Sequence, residues 1–246
     1  RAPGDEPVLP EITVHPPGIV FQKPFTTGEP ELAGFDDQTT PDRKLASAAM
    51  SGQQSSTPAL GRRTYQKGRQ TLVWRAEDEN DDDLVYDIVY RREGEIVWRA
   101  LRRGVSDSIL VWDTTTVPNG TYFVKVVASD GPSNPASTAL TGELDSSTLE
   151  VDNTAPAIAV RNVKVEGGRT TIVFDVNDAH SAIARVEFSA DGQHWSGVFP
   201  RDGVADSKSE YYELVVDGQL GERGLALRAS DTMSNVANGH VDPPRR

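Results

Sequence analysis

Two short stretches of this chain, a domain's length apart, read almost alike. "ASDGPSN" runs from Ala128 to Asn134 and "ASDTMSN" from Ala229 to Asn235. Their Asp, Ser and Asn side chains offer two kinds of chemistry. Carboxylate and amide oxygens are ligands for a hard cation such as calcium, which takes six to eight of them. The same side chains also bond their own backbone to close tight turns, and that needs no further partner. A denser acidic run, "EDENDDD" at Glu77–Asp83, holds six carboxylates in seven residues. It lacks the spacing, glycine and terminal glutamate of a calcium-binding EF-hand loop, so a solvated inter-strand loop is the simpler reading.

Catalytic patterns are scarcer. The four histidines are His15, His180, His194 and His240, and none stands in H-E-x-x-H. No G-x-S-x-G elbow or Walker loop occurs. His180 lies beside Asp178 and Ser181, but a triad needs nucleophile, base and orienting acid to converge from the fold, not from adjacent positions. The expectation is a solvent-facing loop histidine and a chain that is not an enzyme. The four tryptophans, Trp74, Trp98, Trp112 and Trp195, are candidates for stacking on sugar rings. Each sits in or ends an apolar stretch, so burial in a small core is expected instead. Tyr211 and Tyr212 are neighbours, so one of them must face outward from a strand. Asn119-Gly120-Thr121 fits a glycosylation sequon and reads equally as a turn.

Composition narrows the partners. The 246 residues carry a formal net charge of −12 and a sequence pI near 4.8, which argues against nucleic acid and anionic membrane as partners. There is no cysteine, so disulfides, thiolate nucleophiles and Cys-bound metals are excluded. No apolar run reaches the length of a membrane-spanning helix. No signal peptide is visible and the sequence starts at Arg1, which suggests a processed or excised piece of something longer.

The elements that would position these residues are strands. Residues 1–66 form a proline-rich arm. Within it, 8–25 is a candidate strand for the first domain, and 34–61 is a long Ser/Thr/Gln/Pro-rich loop with a short helix at Leu45–Met50 as its one local feature. Period-2 alternation then takes over. Leu72, Trp74 and Ala76 share a face, as do Leu84, Tyr86, Ile88 and Tyr90, and again Tyr122, Val124, Val126 and Ala128. The second half repeats the plan with Ile172, Phe174 and Val176, then a strand pair around Asp191-Gly192, then "EYYELVV" and "GLALRASD". Trp98 and Trp195 recur at nearly the same offset as the Ala-Ser-Asp stretches. The pattern predicts an all-β chain of two antiparallel sandwiches in tandem, at 67–152 and 155–242.

A family resemblance follows from particular residues. "VPNGTYFVKVVASD", with Pro118, Thr121, Tyr122, Val124, Val126 and Ala128, resembles the sixth strand of fibronectin type III domains. Leu72 and Trp74 resemble that family's second strand with its core tryptophan. The second half lacks a tyrosine at the matching place in "GLALRASD" and is similar to immunoglobulin-like domains more broadly. "VDNTAP" at Val151–Pro156 resembles joints in bacterial immunoglobulin-like arrays. The stretch from Trp112 to Pro135 is similar to sandwiches that follow β-propellers in large exported bacterial proteins. Such a fold would bring the loop after the second strand to the same pole as the loop after the sixth. Asp130 is then expected near Asp78 and Asp81, and Asp231 near Asp178. Asp152 is expected to approach Asp178 and Asp231, which makes Asp152, Asp178 and Asp231 the candidate calcium ligands. Turn closure without a cofactor is the favoured alternative.

The resemblance implies a non-enzymatic spacer, docking or adhesion module of a larger exported bacterial protein, located outside the cytoplasm or at the cell surface. Its partners would be another protein or its own upstream domains, with strand pairing between copies through open sheet edges. The second reading is an accessory module that binds carbohydrate or depends on calcium. Sandwiches of this kind host many unrelated roles, so fold alone does not choose.

Overall fold

The structure, a computed structural model, describes residues 6–22 and 60–243. The expected loop at 34–61, apart from its last two residues, and the helix at Leu45–Met50 lie outside the described residues. The chain divides into two compact units, Arg1–Val151 and Asp152–Arg246. No helix among the described residues is long and apolar enough to cross a membrane.

In the first unit the strands are β1 (Val8–Val14), β2 (Ile19–Phe21), β3 (Arg63–Tyr65), β4 (Arg69–Glu77), β5 (Val85–Arg92), β6 (Arg99–Val105), β7 (Ile109–Asp113), β8 (Gly120–Ser129), β9 (Thr141–Asp145) and β10 (Leu149–Val151). One sheet runs β1-β4-β7 and the other β10-β8-β5-β6, with β9 also paired to β8. β9 and β10 are one strand broken at Ser146, whose hydroxyl accepts the Val124 N–H at 3.1 Å. Apart from the β2–β3 ribbon, this is the strand order of a fibronectin type III sandwich.

Alternation puts one face of each sheet into a shared core. Leu72, Trp74, Ile88, Leu110, Trp112, Tyr122, Val124, Val126 and Ala128 are buried there. The rings meet edge to face, Trp74 with Tyr86 at 5.3 Å between centroids and Trp112 with Tyr122 at 5.6 Å, a geometry aromatic quadrupoles favour. The Tyr122 hydroxyl donates to the Pro118 carbonyl at 2.7 Å, the tyrosine corner of immunoglobulin-like sandwiches. That bond pins the entry to β8 while the ring fills the core.

One strand departs from simple alternation. Gln70 to Trp74 of β4 are all buried, not only Leu72 and Trp74. The reason is the N-terminal arm. Phe21 packs with Val73 and Ile109 on the far side of this sheet, with Ile19 against them. The Thr71 hydroxyl donates to the Ile19 carbonyl at 2.5 Å, and the Gln70 amide donates to the His15 carbonyl at 2.5 Å. Thr71, on the face that alternation turns toward water, is thus consumed by the arm, while Gln70, in line with Leu72 and Trp74, is tied to the arm's His15 carbonyl. β1 comes close to β9 as well: a Cβ on Gly142 would stand 1.8 Å from the Pro7 carbonyl oxygen, so only glycine fits there.

The second unit has β11 (Ala157–Glu166), β12 (Arg169–Asn177), β13 (Ile183–Ser189), β14 (Ser196–Val198), β15 (Ser209–Asp217), β16 (Leu225–Asp231) and β17 (Val236–Val241). Its sheets run β11-β12-β15 and β14-β13-β16-β17, all antiparallel. The order matches the first unit strand for strand. Ile172, Phe174, Val176, Tyr212, Leu225, Leu227 and Ala229 fill the core. Phe174 and Tyr212, cross-strand partners, stack at 5.1 Å with planes 9° apart. Tyr212 is buried and its neighbour Tyr211 is exposed, as alternation requires.

The tyrosine corner separates hydrogen bonding from ring burial. Tyr122→Phe keeps the buried ring and is expected to cost about 1 kcal/mol, the usual net worth of a hydrogen bond. Tyr122→Ala is expected to cost about 3–5 kcal/mol through the cavity it leaves. Chemical denaturation of the two variants beside the parent chain checks the ordering, and equal losses would refute it.

Candidate functional site

The residues singled out for chemistry gather at the same end of each sandwich, where the loop after the second strand meets the loop after the sixth. The local reason is backbone satisfaction. Loops there present several N–H groups without strand partners, and short Asp side chains reach them.

In the second unit Asp178 Oδ1 accepts the N–H groups of His180 at 2.8 Å and Ser181 at 3.0 Å. Asp231 Oδ1 accepts those of Met233 at 2.9 Å and Asn235 at 2.8 Å. Asp152 Oδ1 accepts the Thr154 N–H at 3.0 Å, and its Oδ2 accepts the Ser181 hydroxyl at 2.6 Å. Asn235 joins two of these corners: its amide donates to Asp231 Oδ2 at 2.7 Å and to the Asp152 carbonyl at 3.0 Å. Carboxylate oxygens of Asp152, Asp178 and Asp231 lie within 4.8 Å of one another. Asp152 and Asp231 are only 6% and 2% exposed. The three residues expected together are therefore together, and all belong to the second unit.

In the first unit Asp78 Oδ1 accepts the Asn80 and Asp82 N–H groups. Asp130 Oδ1 accepts the Leu140 N–H at 2.7 Å, and the Asp130 carbonyl accepts those of Ser133 and Asn134. The Asn134 amide donates to both Asp82 Oδ2 at 2.8 Å and Asp130 Oδ2 at 3.0 Å. The third carboxylate of this group is Asp82, not the expected Asp81. Asp81 is exposed and takes a left-handed backbone with φ of 54°, so it serves as the bend that turns Asp82 inward.

The two groups are alike in their Asp–Asn pairs and differ in their third carboxylate. Asp78 and Asp178 follow the second strand, Asp130 follows the sixth and Asp231 ends it, and Asn134 and Asn235 occupy the fourth position after those. Asp82 comes from the acidic loop itself, whereas Asp152 precedes the first strand of its unit. In both units an oxygen of the post-second-strand carboxylate is buried without a partner: Asp78 Oδ2 and Asp178 Oδ2. The Asn235 Oδ1 is a third such atom.

The triad-like neighbours do not form a triad. The Ser181 hydroxyl is spent on Asp152, and Asp178 holds the His180 backbone rather than orienting its ring. The tryptophans divide. Trp74 and Trp112 are core residues, as expected, but Trp98 and Trp195 are only half buried. Each stands just before the fourth strand of its sandwich and is capped by cations. Arg91 and Lys125 lie 5.0 and 5.1 Å from the Trp98 ring centroid, and Arg228 lies 4.1 Å from that of Trp195. Arg228 also grips the nearly buried Glu187 with both Nε and Nη2, at 3.0 and 2.7 Å. These rings therefore clamp sheet-face cations instead of filling the core. No signal in the strand pattern distinguishes that role, because the cations come from β5, β8 and β16. At the possible sequon Asn119 forms a bend that leads into β8, and its carbonyl accepts from Arg92.

No protein-family model and no curated protein matches the chain. Among solved structures, the FN1–FN3 domains of chicken CNTN1 align over 98% of this chain and 99% of that one, at 11% identity and a TM-score of 0.33. The fold itself is all-β, made of antiparallel sandwiches with the fibronectin type III-like strand order.

The turn before β14 adds a titrating pair. Asp191 Oδ1 accepts the Gln193 and His194 N–H groups, and the His194 ring meets Asp191 Oδ2 at 2.6 Å. That contact raises the His194 pKa above 6.5, and the imidazole with the two backbone N–H groups holds the Asp191 carboxyl well below its ordinary value. A raised histidine stabilises the fold fully below its unfolded value and loses this as pH rises through the folded one. A lowered carboxylate does so above its unfolded value of 3.8 and loses it as pH falls. The turn is thus best supported between pH 3.8 and 6.5. In an NMR titration His194 is expected to titrate above 6.5, and Asp191→Asn to bring it back to that value. His15, beside Phe21 and partly desolvated near Arg63, is expected to titrate below 6.5. A His194 midpoint unmoved by the substitution would refute the pairing.

Proposed function

We propose that the chain is a non-enzymatic pair of sandwich modules serving as a spacer, docking or adhesion element of a larger exported bacterial protein. The observation that carries this reading is that one strand order is built twice, each time around its own core. The reactive-looking Asp, Ser and Asn side chains at the loop ends serve that architecture by closing turns. Two further features suit contact with other proteins. The edge strand β6 presents Arg102 and Arg103, beside Arg99, which pairs with Glu95, and the exposed tip residues Ile96 and Val97. An open edge with that charge favours an acidic extended segment as partner. The sugar-binding alternative draws no support from Trp98 and Trp195, because cations already occupy their faces.

A module of this kind carries load as independent units. Pulled from its ends in a single-molecule experiment, the full chain is expected to unfold in two separate events, one per sandwich. A single event releasing the whole chain would overturn the reading.

A further inference from the structure

We infer that the carboxylate corner of the second sandwich is a binding site for a hard divalent cation of the calcium class. Its ligands are Asp152, Asp178, Asp231 and the side-chain oxygen of Asn235. Three carboxylates close together are not by themselves a site, since turn closure accounts for one oxygen of each. What turn closure leaves over is the informative part.

Asn235 is 1% exposed, and its amide is lodged between Asp231 and Asp152, yet its Oδ1 has no partner. Asp178 Oδ2 is also buried and unpartnered. A buried acceptor without a donor is costly, and a second one beside three carboxylates adds to the cost. More N–H groups would have solved this, but the loops have already committed theirs to Oδ1 atoms. A cation satisfies every leftover oxygen at once. The Asn235 Oδ1 is carried on the same amide whose nitrogen lies 2.7 Å from Asp231 Oδ2, so it stands at the edge of the carboxylate group as the remaining acceptor.

The donor set selects the cation. All four side chains offer oxygen and none offers nitrogen or sulfur, which disfavours zinc and suits calcium. The ligands come from three separate loops, a loose arrangement that calcium tolerates and that magnesium, with its strict octahedron, does not. The corner of the first sandwich shows the contrast. There only one carboxylate oxygen, Asp78 Oδ2, is left over, and Asn134 is partly exposed instead of sealed in.

The test uses the full chain, stripped with EDTA, titrated calorimetrically with calcium chloride and melted with and without about 10 mM calcium. Extracellular calcium modules bind at about 0.1–1 mM. Binding of that strength is expected to raise the melting midpoint of the second sandwich by about 5 °C or more. Asp178→Asn keeps an Oδ1 for the His180 and Ser181 N–H groups, so it is expected to melt normally in EDTA. It should bind one equivalent of calcium less than the parent chain and lose the calcium-dependent rise. In the parent chain, NMR shifts on adding calcium should concentrate at the amides of Asp152–Thr154, Asp178–Ser181 and Asp231–Asn235, which decides the matter even if the variant does not fold. No midpoint change with calcium, unchanged stoichiometry in the variant, or shifts elsewhere would overturn the site. An equal response to magnesium would overturn its assignment to calcium.

Discussion

At the loop end of a sandwich, strand ladders stop and backbone N–H groups lose their partners. Burying them unpaired costs more than most single contacts return, so the chain must bring acceptors to them. Here the acceptors are aspartates. Asp178 and Asp231 each receive two N–H groups on one oxygen, and Asp78 does the same. The loops can then fold back on themselves with their N–H groups paired, which lets strands two and six end beside each other. The repeated Ala-Ser-Asp stretch marks this device. Asp ends or follows the strand, and Asn four positions later locks the return.

Once the loops are fixed, the two sheets hold a register in which one face of each strand meets the other sheet. In the first unit Tyr122 fixes the entry to β8 with a hydrogen bond and fills the core with its ring. Among the described residues the second unit shows no equivalent bond, and Phe174 and Tyr212 stack in its core. Cations clamped over Trp98 and Trp195 tie the outer sheet faces in both. Similar sandwiches are thus held by different secondary devices, while the Asp–Asn pair of the loop corner recurs.

Much of this was legible because strand burial has period two. Val124, Val126 and Ala128, or Ile172, Phe174 and Val176, declare their face without help from elsewhere. Misreadings arose where a distant segment intervenes. β4 is covered on both faces because Phe21 and Ile19 arrive from the arm, and nothing in "RQTLVWRAE" announces a second cover. Trp98 and Trp195 look like core residues from their apolar neighbours, but cations on other strands draw them to the surface. Asp82 displaced Asp81 because a single left-handed residue reverses which side chain points inward. The meeting of Asp152 with Asp178 and Asp231 was expected from the fold that the family resemblance implies. The unpartnered oxygens of Asp178 and Asn235 emerge only from the atoms.

If carboxylate acceptance of loop N–H groups is what holds the sandwich ends, those amides should behave like strand amides. Residue-resolved hydrogen exchange measures this directly. The Asn235 N–H, held by Asp231 Oδ1, and the Leu140 N–H, held by Asp130 Oδ1, are the places to look. Protection comparable to that of β16 and β8 is the expected result. Exchange at the rate of an open surface loop would contradict the account.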